Sequence, residues 1–248
     1  MPHFLVIGTQ KGGTTTLHHL LSQHPGIFLP EVKEVHYFSQ HFHQSRQWYA
    51  DHYQLAKPGQ MRGDITPFYM FHQAVPERIR SVLPNVNLIA LLRDPVERTL
   101  SQYFHARRHG YEQLDLVPAL AAEENRMSGA NAVVSSADGF HYSYQKHSYV
   151  SRSRYELQLI RYRQFFPKHQ LHVLRSEDLF AHTDACWDGL LRFISVAPMP
   201  LPASLPHSNS GKGEAASVPL SLRRDLRQEL AATYKWVERE YGITWPEP

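Results

Sequence analysis

The first sixteen residues constrain the fold more than any other part of the chain. An apolar run over residues 4–8 leads into a glycine turn with one lysine, and a helical pattern follows. Adjacent glycines let the backbone approach a ligand closely, and the first N–H groups of a helix carry partial positive charge. The stretch therefore predicts a strand, a loop that holds phosphate or sulfate, and a helix. The predicted anion-binding residues are Lys11, Gly12, Gly13, Thr14, Thr15 and Thr16.

The position of the lysine indicates which kind of anion-binding loop this is. In nucleotide triphosphatases the lysine follows the last glycine and directly precedes Ser or Thr, whereas Lys11 precedes both glycines. Neither that pattern nor G-x-G-x-x-G occurs in the sequence, and no acidic Mg²⁺ site is apparent at a strand end. These features argue against a nucleotide-dependent phosphotransferase, which remains the alternative enzyme class.

Strand patterns alternate with helix patterns along the chain. This order predicts an α/β fold, with one domain over residues 1–248 and a central parallel sheet flanked by helices. Ligands of such sheets bind at the carboxyl ends of the strands. The segment 125–148 has Gly, Ser, Asn and Ala in excess and few large aliphatic residues, which predicts a mobile loop or lid. The predicted strands cover residues 4–8, 27–29, 87–92 and 171–174, and the predicted helices include 76–83, 95–108, 154–166, 184–194 and 220–241.

Composition excludes several classes of protein. Of the 248 residues, 42% are hydrophobic and 20% are charged, which is typical of a soluble domain. The longest apolar runs fall well short of the roughly 20 residues that span a bilayer. The start of the chain lacks the basic leader of a secretory signal. The single cysteine, Cys186, excludes an internal disulfide and fits a reducing compartment, so we expect a cytoplasmic protein.

Charge and histidine content point to no further partner. The net charge of +3 is spread along the chain, and an anionic cofactor explains it as well as nucleic acid would. Although there are 17 histidines, neither H-E-x-x-H nor paired cysteines occur, so we expect no metal. The oligomeric state cannot be predicted from this sequence.

A second motif follows the apolar run over residues 87–92. Arg93 comes at the predicted strand end, and Ser101 lies two turns into the following helix. A guanidinium and a hydroxyl in these places can together bind a phosphate. Alternatively, Arg93 pairs with Asp94 or Glu97 and has a structural role.

Together the two motifs resemble those of sulfotransferases that use 3′-phosphoadenosine-5′-phosphosulfate (PAPS). The first is similar to their 5′-phosphosulfate loop, and the second matches their R-x-P-x-x-R…S motif for the 3′-phosphate at Arg93, Pro95, Arg98 and Ser101. A looser match covers residues 155–179. The branch with this resemblance contains the heparan sulfate enzymes and many bacterial small-molecule enzymes.

The resemblance implies a P-loop-like sulfotransferase fold, PAPS as donor, 3′-phosphoadenosine-5′-phosphate (PAP) as product, and no metal. It implies in-line transfer of a sulfuryl group to a hydroxyl, or less readily an amine, of a small molecule or glycan. A module that binds nucleotide without catalysis would keep the same loops and is a further alternative.

Sulfuryl transfer needs a group to stabilise the leaving phosphate and a base for the acceptor proton. Lys11 is placed for the first task. Segment 33–38 resembles the E-V-H-F-F segment of heparan sulfate enzymes, in which the glutamate is the base and the histidine assists. Glu34 is therefore the candidate base, although His36 could also accept the proton. If the segment is extended, both side chains face the cleft; otherwise Glu34 pairs with Lys33 or Lys11 at the surface.

Acceptor contacts are less well defined. Asp64 could orient a substrate hydroxyl or cap its turn, and Ile65 stands where heparan sulfate enzymes have a lysine before T-P. Tyr37 belongs to an aromatic set that suits an apolar or aromatic acceptor or else forms core. Lys212 and Gly213 match a family loop that closes over the 3′-phosphate and adenine, although a flexible polar linker has similar composition.

Overall fold

The computed structural model describes residues 1–181, 184–201 and 212–247, with the backbone alone at Lys212 and Gly213. The strands are β1 (Phe4–Gly8), β2 (Ile27–Phe28), β3 (Met61–Ile65), β4 (Asn87–Leu92) and β5 (Leu171–Arg175). The helices are α1 (Thr14–Ser22), α2 (Arg46–Asp51), α3 (Val75–Val82), α4 (Pro95–Arg108), α5 (Leu116–Ala121), α6 (Glu123–Met127), α7 (Ala130–Val134), α8 (Tyr142–Lys146), α9 (Tyr155–Arg163), α10 (Ser176–Phe180), α11 (Asp184–Phe193), α12 (Lys212–Ala216), α13 (Leu220–Glu229) and α14 (Ala231–Tyr241). Short 3₁₀ turns lie at Pro67–Tyr69, Ser151–Ser153 and Lys168–Gln170.

The five strands form one parallel sheet in the order β2-β3-β1-β4-β5. β1 is buried along its whole length because both faces of the sheet are covered. Leu5 and Ile7 pack into one apolar cluster, whereas Phe4 and Val6 pack into the other. The predicted single α/β domain with a central parallel sheet is confirmed.

The strand order places the two sequence motifs side by side. β1 pairs with β4 in parallel, with Val6 opposite Ile89. The segments that follow these strands, which carry Lys11 and Arg93, therefore leave the same edge of the sheet. After β1 the chain continues to β2 and β3 on one side of β1, whereas β4 and β5 lie on its other side. Ligands of open α/β sheets bind in the crevice at the point where the strand order divides in this way.

Two predictions about helices and loops were wrong. The segment 125–148 includes three short helices, and one reason is that Arg78 of α3 donates to three successive carbonyls at the end of α7, those of Val134, Ser135 and Ser136. This anchor comes from a distant part of the chain. The predicted helix 220–241 is divided into α13 and α14 at Leu230, which is fully buried.

Asp64 fastens the end of β3 to the core. Its carboxylate is fully buried and accepts hydrogen bonds from Tyr49 (2.7 Å), Thr66 (2.7 Å) and Tyr69 (3.1 Å). Burial raises the pKa of this carboxyl, and the hydrogen bonds from Thr66, Tyr49 and Tyr69 oppose that rise. The three hydroxyls explain how a carboxyl group is tolerated next to the central strands.

We expect Asp64→Ala to lower the free energy of unfolding by about 3 kcal/mol, because it leaves buried hydroxyls without an acceptor. Urea unfolding measures the change. Asp225→Ala, at an exposed position on α13, is the control and should change stability by less than about 0.5 kcal/mol. Equal stability of the two variants would contradict a structural role for the Asp64 cluster.

Candidate active site

Two glycines shape the loop between β1 and α1. A Cβ atom at Gly12 would lie 2.7 Å from the Leu91 carbonyl oxygen of β4. At Gly13, where φ is +89°, a Cβ would lie 2.3 Å from the Phe180 ring. Glycine is therefore required at both positions: at Gly12 by the close approach of β4, and at Gly13 by the left-handed backbone as well.

The loop presents unpaired backbone donors to the crevice. The Gly12 N–H is not among them, because it donates to the Thr9 carbonyl (2.9 Å), contrary to the prediction that it holds an anion. The first helical bond runs from Leu17 N–H to the Gly13 carbonyl (3.1 Å). Within the described ranges, the N–H groups of residues 13–16 have no partner. They form a helix N-terminus directly after the loop, where the sequence predicted one.

Lys11 is a cation in a positively charged environment. Burial lowers the pKa of its ammonium group, and the charges of Arg108, Arg93, Arg98 and Lys33 lower it further, to about 8. In the part of the chain that the structure describes, no carboxylate pairs with Lys11. Its backbone has a φ of 69°, in the left-handed region that is costly for a side-chain-bearing residue. A bound anion would supply the counter-charge that the protein does not.

Arg93 lies beside this loop. One guanidinium nitrogen donates to the Lys11 carbonyl (3.3 Å), and another lies 3.9 Å from the Glu97 carboxylate. The structural pairing with Glu97 is thus present but long.

Ser101 is buried on α4, and its hydroxyl has no hydrogen-bond partner among the residues described. Arg98 of the same motif points elsewhere: it is fully buried and donates to Ser153 (2.6 Å) and to the Tyr149 carbonyl.

Glu34 and His36 meet in the loop after β2. The nearest oxygen of Glu34 lies 3.5 Å from Nε2 of His36, and Nδ1 of His36 lies 2.9 Å from the Ser39 hydroxyl. The segment is not extended, which was one of the two alternatives, since φ is 62° at Glu34 and 56° at His36. Lys33 bridges this loop to α1: its ammonium donates to the Thr15 hydroxyl (2.7 Å) and lies 3.8 Å from Glu34.

The surroundings keep Glu34 ionised. Burial raises the pKa of its carboxyl, but the hydrogen bond and charge of His36, with the charges of Lys33 and Arg152, outweigh burial and bring the pKa below its usual value. At neutral pH the side chain is a carboxylate that can accept a proton. The lower pKa also makes it a weaker base, which leaves His36 as the alternative acceptor.

Glu34 and His36 line a cavity of about 190 Å³, equal to the volume of roughly six water molecules. Its wall is mostly polar. Burial and the charge of Lys11 lower the pKa of His105 to about 4, so that this imidazole is neutral. The other lining residues are Gln10, Phe68, Gln102, Tyr111, Gln145 and Lys146.

Two predicted acceptor-binding residues do not line this cavity. Tyr37 stacks on Tyr49 with 4.3 Å between ring centroids and is core, as the alternative interpretation held. Asp64 is enclosed by its three hydroxyl partners. The Lys212 and Gly213 backbone begins α12, and the residues directly before it, 202–211, lie outside the described residues.

The polar wall of the cavity was missed in the sequence. Gln102 and His105 lie on α4 beyond the matched motif, and Gln145 lies on α8, in a segment predicted as loop. One signal was available: His105 lies four residues after Ser101, on the same face of α4.

Other site types find no support in the described ranges. No cluster of three or more His, Cys, Asp or Glu side chains is arranged to hold a metal ion. No helix there combines the length and apolarity that a membrane crossing requires.

Comparison with known proteins matches residues 1–201 to the family described as "Sulfotransferase domain". The "Membrane-associated sulfotransferase kil1" of Dictyostelium discoideum is 43% identical over 106 residues, which are 42% of this chain and 22% of that protein. Human "Bifunctional heparan sulfate N-deacetylase/N-sulfotransferase 2" is 28% identical over 208 residues, or 80% of this chain and 22% of that protein. The chain thus spans about a fifth of the length of these curated relatives.

Among solved structures, a sulfotransferase from Alicyclobacillus acidocaldarius superposes with a TM-score of 0.78. The alignment covers 99% of this chain and 97% of the other, with 22% sequence identity. At this identity the likeness supports the fold.

We expect anion binding to weaken as Lys11 loses its proton. Because its pKa is about 8, the ammonium form prevails at pH 7 and is the minor form at pH 9. The Kd for PAP should therefore rise about tenfold between these values, which calorimetry can measure. Lys11→Arg keeps its charge over this range and should give a nearly constant Kd. A wild-type Kd that does not change with pH would contradict a role for Lys11 in anion binding.

Proposed function

The chain belongs to the sulfotransferase domain family, whose reaction is sulfuryl transfer, and from this premise we propose that it takes the sulfuryl group from PAPS. One observation carries the proposal. Three features lie where β1 and β4 end side by side: Arg93, and, among the residues that the structure describes, four unpaired N–H groups at residues 13–16 and a Lys11 without a carboxylate partner. This donor set matches a ligand with negative charge at two places.

The residues present fit the two ends of PAPS. The N–H groups of residues 13–16 and Lys11 would hold the 5′-phosphosulfate, and Arg93 with Ser101 would hold the 3′-phosphate. PAPS, when bound, supplies the sulfuryl group and a phosphate leaving group. No divalent metal is needed for charge in this proposal, because the protein's own cations surround Lys11.

The catalytic roles follow from the same placement. The Lys11 ammonium stabilises negative charge that develops on the leaving phosphate. The Glu34 carboxylate accepts the proton of the acceptor hydroxyl, with His36 beside it at 3.5 Å as its partner or as the alternative base. The cavity in front of them admits the acceptor and limits the number of water molecules that compete with it.

The acceptor is a hydroxyl, or less readily an amine, of a small molecule or glycan. The polar wall supports a polar acceptor over an apolar aromatic one, because amide groups left unpaired against an apolar ligand are costly. Similarity to relatives that are named as heparan sulfate sulfotransferases supports the glycan alternative. We also propose a cytoplasmic location, on the basis of the single cysteine.

Incubation with PAPS and a panel of sugars, phenols and amines tests the proposal, with the gain of one sulfo group in the acceptor as the readout by mass spectrometry. We expect transfer to at least one polar acceptor and formation of PAP in equal amount. Binding of PAP without transfer to any member of a broad panel would favour the non-catalytic alternative. ATP in place of PAPS is the control for phosphoryl transfer and should give no product.

With an acceptor in hand, Glu34→Gln tests the base. We expect kcat to fall by about 10²- to 10⁴-fold, because the amide cannot accept the proton. The Kd for PAP should stay constant. The matched control is Glu31→Gln, an exposed carboxylate three residues earlier, and it should leave kcat unchanged. If Glu34→Gln retains kcat within a factor of three, the base is another group, and His36→Asn is then the variant to measure.

A further inference from the structure

Two neighbouring residues of α10 contact the two anion-binding segments. The Ser176 hydroxyl donates to the Gly12 carbonyl of the Lys11 loop. Oε1 of Glu177 accepts a hydrogen bond from the Asp94 backbone N–H (3.0 Å), directly after Arg93. The start of α10 therefore connects the loop after β1 with the loop after β4.

The chain beyond the family match completes this connection. Oε2 of Glu177 accepts a hydrogen bond from the indole N–H of Trp245 (2.9 Å), which is 5% exposed. Gly242, with a φ of 67°, ends α14 and turns the chain toward this position. Arg227 then donates to the carbonyls of Trp245 (3.0 Å) and Pro246 (2.9 Å). The tail is thus held at a defined place.

Asp94 is fixed from further directions. The Tyr234 hydroxyl of α14 donates to its Oδ2 (2.9 Å), and its Oδ1 caps α4 by accepting from the Glu97 N–H (2.9 Å). The Tyr155 hydroxyl donates to the Arg93 carbonyl (2.9 Å). The backbone around Arg93 is therefore fixed by several bonds, whereas the contacts of its guanidinium with Lys11 and Glu97, at 3.3 and 3.9 Å, are long. A fixed backbone with a weakly held guanidinium suits preorganised binding.

We propose that Glu177, Tyr234 and Trp245, here called the Asp94 bracket, are positioning residues for donor binding. They hold the Arg93 backbone at a constant separation from the Lys11 loop. The loop and Arg93 can then bind the two charged ends of a bisphosphorylated nucleotide at the same time. The inference rests on the proposed function and extends it to the C-terminal helices, which lie outside the matched residues 1–201. None of the three residues needs to touch the nucleotide.

The test compares PAP with adenosine 5′-phosphate, which lacks the 3′-phosphate. Tyr234→Phe and Trp245→Phe each remove one hydrogen bond and keep an aromatic ring. Each should raise the Kd for PAP about three- to tenfold and leave the Kd for adenosine 5′-phosphate unchanged, because that ligand engages only the Lys11 loop. Arg93→Ala gives the upper limit of the effect. Thermal unfolding confirms that each variant is folded at the assay temperature.

Trp236→Phe is the matched control. Trp236 lies on the same helix as Tyr234 but packs against Tyr241 and Arg163, away from Asp94, so its substitution should not affect PAP binding. The inference is overturned if both bracket variants bind PAP within twofold of wild type, or if PAP and adenosine 5′-phosphate weaken equally. The proposed function fails separately, and the inference with it, if the wild-type protein does not prefer PAP to adenosine 5′-phosphate.

Discussion

The positive charge of Lys11, which no carboxylate pairs with in the part of the chain that the structure describes, is the constraint around which the site is built. The parallel pairing of β1 and β4 brings Lys11 next to Arg93, and the four neighbouring cations lower the Lys11 pKa rather than raise it. Such a group of cations costs stability in the folded chain. It is tolerated because hydrogen bonds from distant segments hold the backbone of both loops, and an anionic ligand repays the cost when it binds.

Backbone strain coincides with the proposed chemistry. In the described part of the chain, four non-glycine residues have a positive φ, and three of them are Lys11, Glu34 and His36. Each of these conformations costs of the order of 1 kcal/mol and persists only when its surroundings require it. Their contacts with Arg93, Lys33 and Ser39 supply that requirement. Glu34 and His36 line the cavity with this left-handed backbone and not with an extended one.

The sequence predicted the fold well because its signals are local. A buried run such as residues 87–92 and a glycine turn such as 11–16 define their own structure, and the parallel order then places both motifs at one edge. The cavity wall could not be predicted in this way. It depends on α8, which lies in a segment predicted as loop, and on a turn of α4 whose direction is defined only after packing. Asp64 and Tyr37 have the residue types of a binding site, but their burial depends on partners far along the chain.

The cavity is bounded largely by parts of the chain that the donor-binding loops do not use. The Pro67–Tyr69 turn supplies Phe68, the segment after α4 supplies Tyr111, and α8 supplies Gln145 and Lys146. Lys11, Arg93 and the backbone N–H groups of residues 13–16, by contrast, lie at the ends of β1 and β4. Natural divergence or laboratory selection can thus alter one half of the cleft while the other keeps its chemistry. Substitutions on the acceptor side of the cavity can therefore be tested without changing the residues proposed to bind the donor, which makes this scaffold a practical starting point for redirecting sulfation to new compounds.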